Sequence, residues 1–187
     1  MITCMNKKSE LQTDGRTDDS ETGIPWQSGS SWQAVNQSIL YLAKRYEKEM
    51  AEVTAIAEAI TDRLSALSPF MDKLCAATCP ECEFPCCTIA TLWFDFRDLL
   101  LLHFSGQKIP SAQILRISGK PCTCLGHKGC SLPRIARPWI CTWYICPPQT
   151  AIIRSRDRQL ISFFDSEFRE IKQMRKMLED TFLKITT

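Results

Sequence analysis

The sequence has little net charge and therefore little to attract it to a polyanion. Its 23 Lys and Arg side chains nearly balance 21 Asp and Glu side chains, and the net charge is only +2. A balance of this kind creates no strong field toward nucleic acid or anionic lipid. Charge therefore does not favour a nucleic-acid partner.

The sequence also lacks a long apolar run. The first eight residues contain no stretch that resembles a secretory signal. The most apolar segment, residues 88–104, is interrupted by Asp95, Arg97 and Asp98, which would be costly in lipid but can face water on an amphipathic helix. We therefore expect a cytoplasmic protein with no membrane role.

Length and composition indicate one globular domain. The chain has 187 residues, of which 44% are hydrophobic, enough to bury a core of ordinary size. Residues 1–30 are rich in polar side chains and predict a flexible N-terminal tail. We assign residues 31–187 to a single domain with a metal-binding core over residues 75–148.

Apolar periodicity predicts a long helix near each end of the domain. The first seam has gaps of three and four residues and no proline or glycine until Pro69: Val35, Ile39, Leu42, Tyr46, Met50, Val53, Ala57, Ile60, Leu64 and Leu67. A second apolar face predicts a helix over residues 162–184: Phe164, Phe168, Ile171, Met174, Leu178, Phe182 and Ile185. A seam as narrow as the first needs a partner, either the C-terminal helix of the same chain or a second chain in a homodimer.

Between these helices the pattern is weaker. Residues 89–104 predict a third helix that ends near Gly106, residues 110–117 a short fourth one, and Ala151 the start of a short strand. Residues 118–148 are rich in Gly, Pro and Cys and predict loops. The predicted fold class is mainly α, with long N- and C-terminal helices bracing an irregular cysteine-rich metal-binding centre.

Cysteine is the residue present in excess. Ten of the eleven cysteines fall within the 72 residues from Cys75 to Cys146. In a reducing cytosol such crowding points to metal ligation before disulfides. The odd total and the adjacent pair Cys86-Cys87 also fit a disulfide framework poorly.

The first cysteine cluster spans residues 79–87. The two-residue gap between Cys79 and Cys82 lets both thiolates turn toward one ion. Neighbouring side chains tend to point apart, so Cys86 and Cys87 are not expected to bind the same ion in the same way. Either there are two metal centres, or one of this pair is a core cysteine.

The second cysteine cluster spans residues 122–146 and is surrounded by basic and aromatic side chains. Its cysteines are Cys122, Cys124, Cys130, Cys141 and Cys146. Cations close in sequence can offset the charge of bound thiolates: Lys120, Lys128, Arg134 and Arg137. We expect the nearby aromatic side chains to exclude water: Trp139, Trp143 and Tyr144.

Taken in order, these residues resemble the YkgJ-like cysteine-cluster family of zinc- or iron-chelating domains. The match falls on Cys79, Cys82, Cys86, Cys87, Cys122, Leu125, Cys130, Arg137, Pro138, Cys141 and Cys146. Two loop spacings are one residue longer than the family pattern, between Cys82 and Cys86 and between Cys130 and Arg137. The resemblance implies that the metal ligands are Cys79, Cys82, Cys86, Cys87, Cys122, Cys130, Cys141 and Cys146.

Several alternatives remain open at this point. The spacing Cys75-x3-Cys79-x2-Cys82 also occurs in radical S-adenosylmethionine enzymes, but the chain lacks the alternating strands and helices of their barrel. The family resemblance extends to flagellin lysine N-methylases, although none of the seven glycines forms a nucleotide-binding loop. His127 could replace a cysteine as a zinc ligand, whereas His103 is expected to be a partly buried helix residue.

We therefore expect a metal-binding protein that holds an iron-sulfur cluster or zinc for electron transfer or cluster handling. A cluster-dependent protein lysine N-methyltransferase and a structural zinc interaction module are the alternatives. The sequence leaves enzymatic activity and the identity of a protein partner undecided.

Overall fold

The structure, a computed structural model, describes residues 24–83, 85–114, 122–126, 129–157 and 159–187. Within these ranges the chain is mainly helical, which confirms the prediction of a mainly α fold. The helices are α1 Gly29–Arg45, α2 Ala51–Thr78, α3 Cys86–Ile89, α4 Phe96–Phe104, a 3₁₀ helix Arg134–Ala136, α5 Ile140–Trp143, α6 Pro147–Arg156 and α7 Gln159–Thr186. A small antiparallel ribbon pairs β1 Leu125–Gly126 with β2 Gly129–Cys130.

Two further predictions concern the N-terminal tail and the membrane. Most of the predicted N-terminal tail, residues 1–23, lies outside the described residues. Across the part of the chain that is described, no helix combines the length and the apolar character needed to cross a bilayer.

The long N-terminal helix predicted by the apolar seam is in fact two helices. A turn over residues 46–50 separates α1 from α2. Within it, the Glu49 amide donates to the Tyr46 carbonyl at 2.9 Å, and the Met50 side chain is buried. Because this turn preserves the spacing of the apolar residues, periodicity alone could not detect it.

The second helix continues past Pro69, where the apolar seam ends. A proline inside a helix removes one hydrogen bond and costs about 3 kcal/mol. Beyond the proline, Met71 and Leu74 are buried, and burying each such side chain contributes about 2 kcal/mol, which offsets that cost. The continued helix carries Cys75 and Cys79 toward the cysteine-rich centre.

The C-terminal helix α7 is the partner of α2, within the same chain. These two helices make the most extensive helix-to-helix contact of the described residues. The Phe70 and Phe164 rings lie 4.9 Å apart, and Arg63 pairs with Glu167 at 2.9 Å across the interface. The apolar residues of α7 that are buried all belong to the predicted apolar face: Phe164, Ile171, Leu178 and Phe182. From Met50 to Leu67 the seam is thus buried within the chain itself.

Helix α4 lies in the middle of the core. Asp95 and Asp98 begin it with a capping box, in which each carboxylate accepts a hydrogen bond from the other's amide, at 2.7 and 3.0 Å. Its four consecutive leucines, Leu99 to Leu102, are all buried. After the helix ends, Gly106 adopts φ +65°, a conformation typical of a helix C-terminus. The predicted end of this helix near Gly106 is therefore confirmed.

The predicted third helix is nevertheless interrupted before α4. After α3 ends, residues 91–95 belong to no helix or strand. The buried Gln113 side chain accepts from the Phe94 amide at 2.7 Å and donates to the Phe94 carbonyl at 3.0 Å, as a neighbouring strand would. A side chain distant in sequence thus satisfies the backbone of this segment, and the local pattern contains no sign of it.

Two further local predictions are wrong. Residues 110–114 form no helix, and the remaining residues of that predicted helix, 115–117, lie outside the described ranges. The segment predicted to start a strand at Ala151 belongs to α6. Pro147 occupies the first position of α6, where its fixed φ favours a helix, and Ile153 is buried against the core.

A buried ion pair joins α4, α7 and the segment that leads into α5. The Arg175 side chain, only 3% exposed, pairs with Asp98 at 2.8 Å and with the more exposed Asp95 at 2.9 Å. Asp98 also accepts from the Trp139 amide at 3.0 Å, and the Arg175 guanidinium lies 5.3 Å from the centre of the Trp139 ring. Burial raises the pKa of Asp98 to about 6, although the charge of Arg175 acts in the opposite direction. This ion pair therefore ties the irregular part of the chain to the helices.

His103 links α4 to α1. Its Nε2 lies 2.8 Å from Oδ1 of the buried Asn36. Burial lowers the pKa of His103 because the charged ring would lose its hydration. It is a partly buried helix residue, as predicted.

We expect Arg175→Met to lower the free energy of unfolding by about 3–5 kcal/mol, because the variant leaves the buried Asp98 without its partner. The matched control is Arg63→Met, which removes the more exposed pair with Glu167 and should cost about 1 kcal/mol or less. Urea denaturation of the parent and the two variants measures both costs. Equal costs for the two arginines would contradict a special role for the buried pair.

The lowered pKa of His103 predicts a pH dependence of stability. Neutral His103 stabilises the fold above its unfolded pKa of about 6.5, and this contribution is lost as the pH falls toward the folded pKa. Between about pH 7 and pH 5 the parent should lose stability faster than His103→Gln does. The free energy of unfolding is measured for both at several pH values. Parallel curves would show that burial does not disfavour the charged ring.

Candidate metal centre

The structure brings cysteines from five separate elements together at one end of α2. All ten cysteines from Cys75 to Cys146 are described, and all are free thiols. They lie at the end of α2 and in the turn after it, on α3, on the β ribbon and its approach, on α5 and at the start of α6. The remaining cysteine, Cys4, lies outside the described residues.

Five of these thiols, Cys75, Cys79, Cys82, Cys86 and Cys146, form the first thiol group. A hydrogen bond with Cys75, then burial and the charges of Cys75 and Cys86, raise the pKa of Cys79. Burial raises the pKa of Cys146, as do the charges of Cys86 and Cys82. These sulfurs are thus close enough for charge on one to oppose ionisation of the next.

The other five thiols, Cys87, Cys122, Cys124, Cys130 and Cys141, form the second thiol group. Burial, together with the charges of Cys130 and Cys122, raises the pKa of Cys141 to about 12. The pKa of Cys124 is raised by burial and by the charges of the same two neighbours. The second thiol group therefore shares the mutual repulsion found in the first.

Helix α3 connects the two thiol groups because it carries both Cys86 and Cys87. The hydrogen bond between their side chains lowers the pKa of Cys86 to about 6 and raises that of Cys87. The two sulfurs are nearer to one another than the sequence predicts. Cys87 is nevertheless influenced by Cys130 and Cys141, whereas Cys146 is influenced by Cys86. The charge of Cys86 also raises the pKa of Cys141. The adjacent pair thus contributes one sulfur to each group, and Cys86 lies at the boundary between them.

Backbone hydrogen bonds shape the first thiol group. The Cys79 amide donates to the Cys75 carbonyl at 2.8 Å, which continues the last turn of α2. Residues four apart on a helix share a face, so both side chains project to the same side. The Cys82 amide then donates to the Cys79 carbonyl at 3.3 Å and closes a turn across the two-residue gap between these cysteines.

The second thiol group is held by the β ribbon and α3. The Cys122 amide donates to the Cys87 carbonyl at 2.9 Å and joins these two distant segments. The Leu125 amide donates to Cys122, and the Ser131 amide to Cys124, at 2.9 and 2.8 Å. These hydrogen bonds therefore hold the cysteines of the ribbon and its approach close to α3.

Among the cations predicted to offset thiolate charge, Arg134 contacts a sulfur directly. Its guanidinium donates to Sγ of Cys75 at 3.4 Å and to Asp72 at 2.8 and 2.9 Å. Arg137 donates instead to the Leu132 carbonyl at 2.9 Å. The other predicted cations, Lys120 and Lys128, and the candidate ligand His127 lie outside the described residues.

Buried Gln149 connects Cys75 to Cys146. Its Nε2 donates to Sγ of Cys75 at 3.5 Å and to the Thr78 hydroxyl at 3.3 Å. Its Oε1 accepts from the Cys146 amide at 3.3 Å, and the Cys146 sulfur accepts from the Gln149 amide in a capping box. One side chain thus positions two members of the first thiol group from opposite ends of the cysteine-rich segment.

The aromatic side chains near the second thiol group only partly fulfil the predicted role of excluding water. Trp139 is half-buried and packs against Phe168 with ring centres 6.0 Å apart. Trp143 and Tyr144 are 44% and 45% exposed. Beside them, Tyr144 and Arg154 line an open groove of about 610 Å³. Trp143 and Tyr144 are therefore part of the protein surface, and they do not shield the cysteines from water.

The donor set suits a thiolate-ligated metal, although its side chains do not form a ready-made site. Zinc and iron-sulfur clusters both accept all-thiolate ligation, and a structural centre commonly uses four such ligands. Within the ranges described, no three or more His, Cys, Asp or Glu side chains converge as a metal site. The contacts between sulfurs are hydrogen-bonded pairs, as expected for protonated thiols. In number and chemistry, each group contains enough thiols for one centre.

The predicted ligands fall into both groups, and each group contains one further cysteine that was not predicted to be a ligand. The first group contains the predicted Cys79, Cys82, Cys86 and Cys146, and the second contains the predicted Cys87, Cys122, Cys130 and Cys141. Cys75 and Cys124 are the additions. Helical spacing from Cys79 could have identified Cys75, whereas nothing in the local sequence distinguishes Gln149.

A scan against protein-family models finds no match for this chain, and searches of the curated proteins and of the solved structures also find none. The resemblance to the YkgJ-like cysteine-cluster family therefore stays a hypothesis based on the order of the cysteines. Any function must be argued from the thiols themselves.

Proposed function

We propose that this chain is a metal-binding protein whose clustered cysteines hold two thiolate centres, as iron-sulfur clusters or as zinc. The observation that carries the proposal is the gathering of ten free thiols from five elements into two groups. Free thiols in such number favour the reducing cytoplasm. The resemblance to a zinc- or iron-chelating family supports the same conclusion.

The electrostatics of the thiols supports a bound cation. Hydrogen bonds to a neighbouring thiol raise the pKa of Cys79 and Cys87, and burial together with neighbouring thiolate charge raises that of Cys141. Such a group cannot ionise fully unless a positive charge enters it. A metal ion supplies that charge, displaces the thiol protons and draws paired sulfurs to a common centre. Because the metal competes with the thiol protons, its apparent affinity should rise with pH.

The helical surroundings suit a centre that must be held rigidly. The Asp98–Arg175 pair fixes the segment before Cys141, and Gln149 fixes Cys146. Exposed aromatic residues near the cysteines, Trp143 and Tyr144, offer a surface for a protein partner. Electron transfer or cluster handling would use such a surface, whereas a structural zinc module would use it for interaction alone.

We expect protein purified without oxygen to contain tightly bound metal, because paired free thiols in this number are strong ligands. Metal analysis, acid-labile sulfide and the visible spectrum distinguish the two forms. Iron, sulfide and a broad absorbance bleached by reductant would identify iron-sulfur clusters and electron transfer or cluster handling. Colourless protein with stoichiometric zinc would identify the structural module. Folded, metal-free protein with intact thiols would disprove the proposal.

Two centres also predict independent loss of metal. Cys82→Ser in the first thiol group and Cys130→Ser in the second should each remove about half of the metal, and the double variant nearly all of it. The matched control is Cys4→Ser. Cys4 belongs to neither thiol group, so this variant should retain the full metal content. Metal per folded chain is measured after circular dichroism has verified helix content. If either single variant lost all the metal, a single shared centre would replace the two.

A further inference from the structure

Cys75 lies outside the cysteine pattern that suggested the metal ligands. Its sulfur nevertheless forms hydrogen bonds with three other side chains. It stands one helical turn before Cys79 and hydrogen-bonds to that side chain. Both residues lie at the end of α2, immediately before the turn that carries Cys82. Cys75, Cys79 and Cys82 therefore lie close together along the chain, at positions from which all three can bind one metal ion.

Two buried side chains from other elements donate to this one sulfur. Arg134, from the 3₁₀ helix, donates at 3.4 Å, and Gln149, from α6, donates at 3.5 Å. Arg134 is 5% exposed and Gln149 is 4% exposed. Placing two polar side chains in the interior to meet a neutral thiol would gain little, because a thiol is a weak acceptor. A thiolate accepts such bonds much more strongly.

The charge of Arg134 leads to the same conclusion. A buried guanidinium needs negative charge close by, and Asp72 supplies it from a side chain that is 55% exposed. The Cys75 sulfur is the second acceptor on the buried side of the same guanidinium. The arrangement thus favours an anionic sulfur directed at the first thiol group.

We propose that Cys75 is a metal ligand of the first thiol group, and that Arg134 and Gln149 are positioning residues that hold its thiolate. This inference rests on the proposed function and adds a ligand to it. Hydrogen bonds from side chains outside the ligand set orient metal ligands and tune their basicity. Here they would fix the Cys75 side chain and offset part of the charge that several thiolates place around one ion.

Metal affinity of the full-length protein tests the ligand. Cys75→Ser should release one of the two centres or weaken its metal binding by more than the roughly 10–100-fold expected for Arg134→Met or Gln149→Leu. Cys4→Ser is the matched control for loss of one thiol. Titration with zinc against a competing chelator measures all four variants. A Cys75→Ser protein that binds as much zinc, as tightly, as Cys4→Ser would overturn the inference.

A spectroscopic measurement separates positioning from simple stabilisation. With cobalt in place of the native metal, the sulfur-to-cobalt charge-transfer band reports on the bound thiolates. Arg134→Met should move this band to longer wavelength, because a thiolate that loses a hydrogen bond gives up its electrons more easily. Arg134→Lys, which keeps the charge, should move it back toward the parent position. A band unchanged in Arg134→Met would mean that the arginine has a structural role only.

Alkylation of the parent protein decides the case if Cys75→Ser does not fold. Iodoacetamide followed by peptide mass spectrometry identifies each protected cysteine, with and without prior removal of metal by a chelator. Cys75 should be protected together with Cys79 while metal is bound and should react after its removal. Rapid reaction of Cys75 while Cys79 stays protected would make it a free reactive thiolate and not a ligand. Protein that binds no metal before any substitution would instead disprove the proposed function.

Discussion

Arg175 and Asp98 are opposite charges buried between α7 and α4, and the position of the irregular centre depends on them. Neither side chain could stay charged in the interior alone, so each requires the other. Asp98 uses its remaining hydrogen-bonding capacity to hold the Trp139 amide, two residues before Cys141. Its negative charge is also one of the charges that raise the pKa of the Cys141 thiol. The pair therefore serves the fold and the second thiol group together.

The first thiol group is anchored by a similar arrangement. Arg134 is also buried and also pairs with a helical aspartate, Asp72 of α2. It lies next to a sulfur, whereas Arg175 reaches the thiols only through Asp98 and Trp139. Arg134 thus joins the 3₁₀ helix to α2 beside the first thiol group, and Arg175 joins α7, through Asp98, to the segment before Cys141 in the second. A loop-rich segment gains a defined geometry in this way without a large core of its own.

The sequence predicted those parts of the structure that depend on local pattern. The apolar faces of α2 and α7, the end of α4 near Gly106 and the gathering of cysteines all follow from spacing and composition. The predictions failed where tertiary contacts determine the local structure. The turn at residues 46–50 preserves the apolar period, and burial of residues beyond Pro69 offsets the cost of that proline.

The candidate site shows the same division. Eight cysteines were assigned from their order along the chain, and each is found in one of the two thiol groups. Arg134 could be predicted to offset thiolate charge but not to contact Cys75, since the contact joins residues of α2 and the 3₁₀ helix that are far apart in sequence. Gln149 carries no signal at all, because an isolated glutamine on a helix is ordinary until its partners are known.

X-ray absorption spectroscopy at the edge of the bound metal tests the central claim most directly, because it identifies the atoms that surround the ion. Thiolate ligation by the two groups predicts a first shell made of sulfur, at about 2.3 Å for zinc. A first shell of oxygen or nitrogen at about 2.0–2.2 Å would show that metal binds elsewhere and would contradict the account.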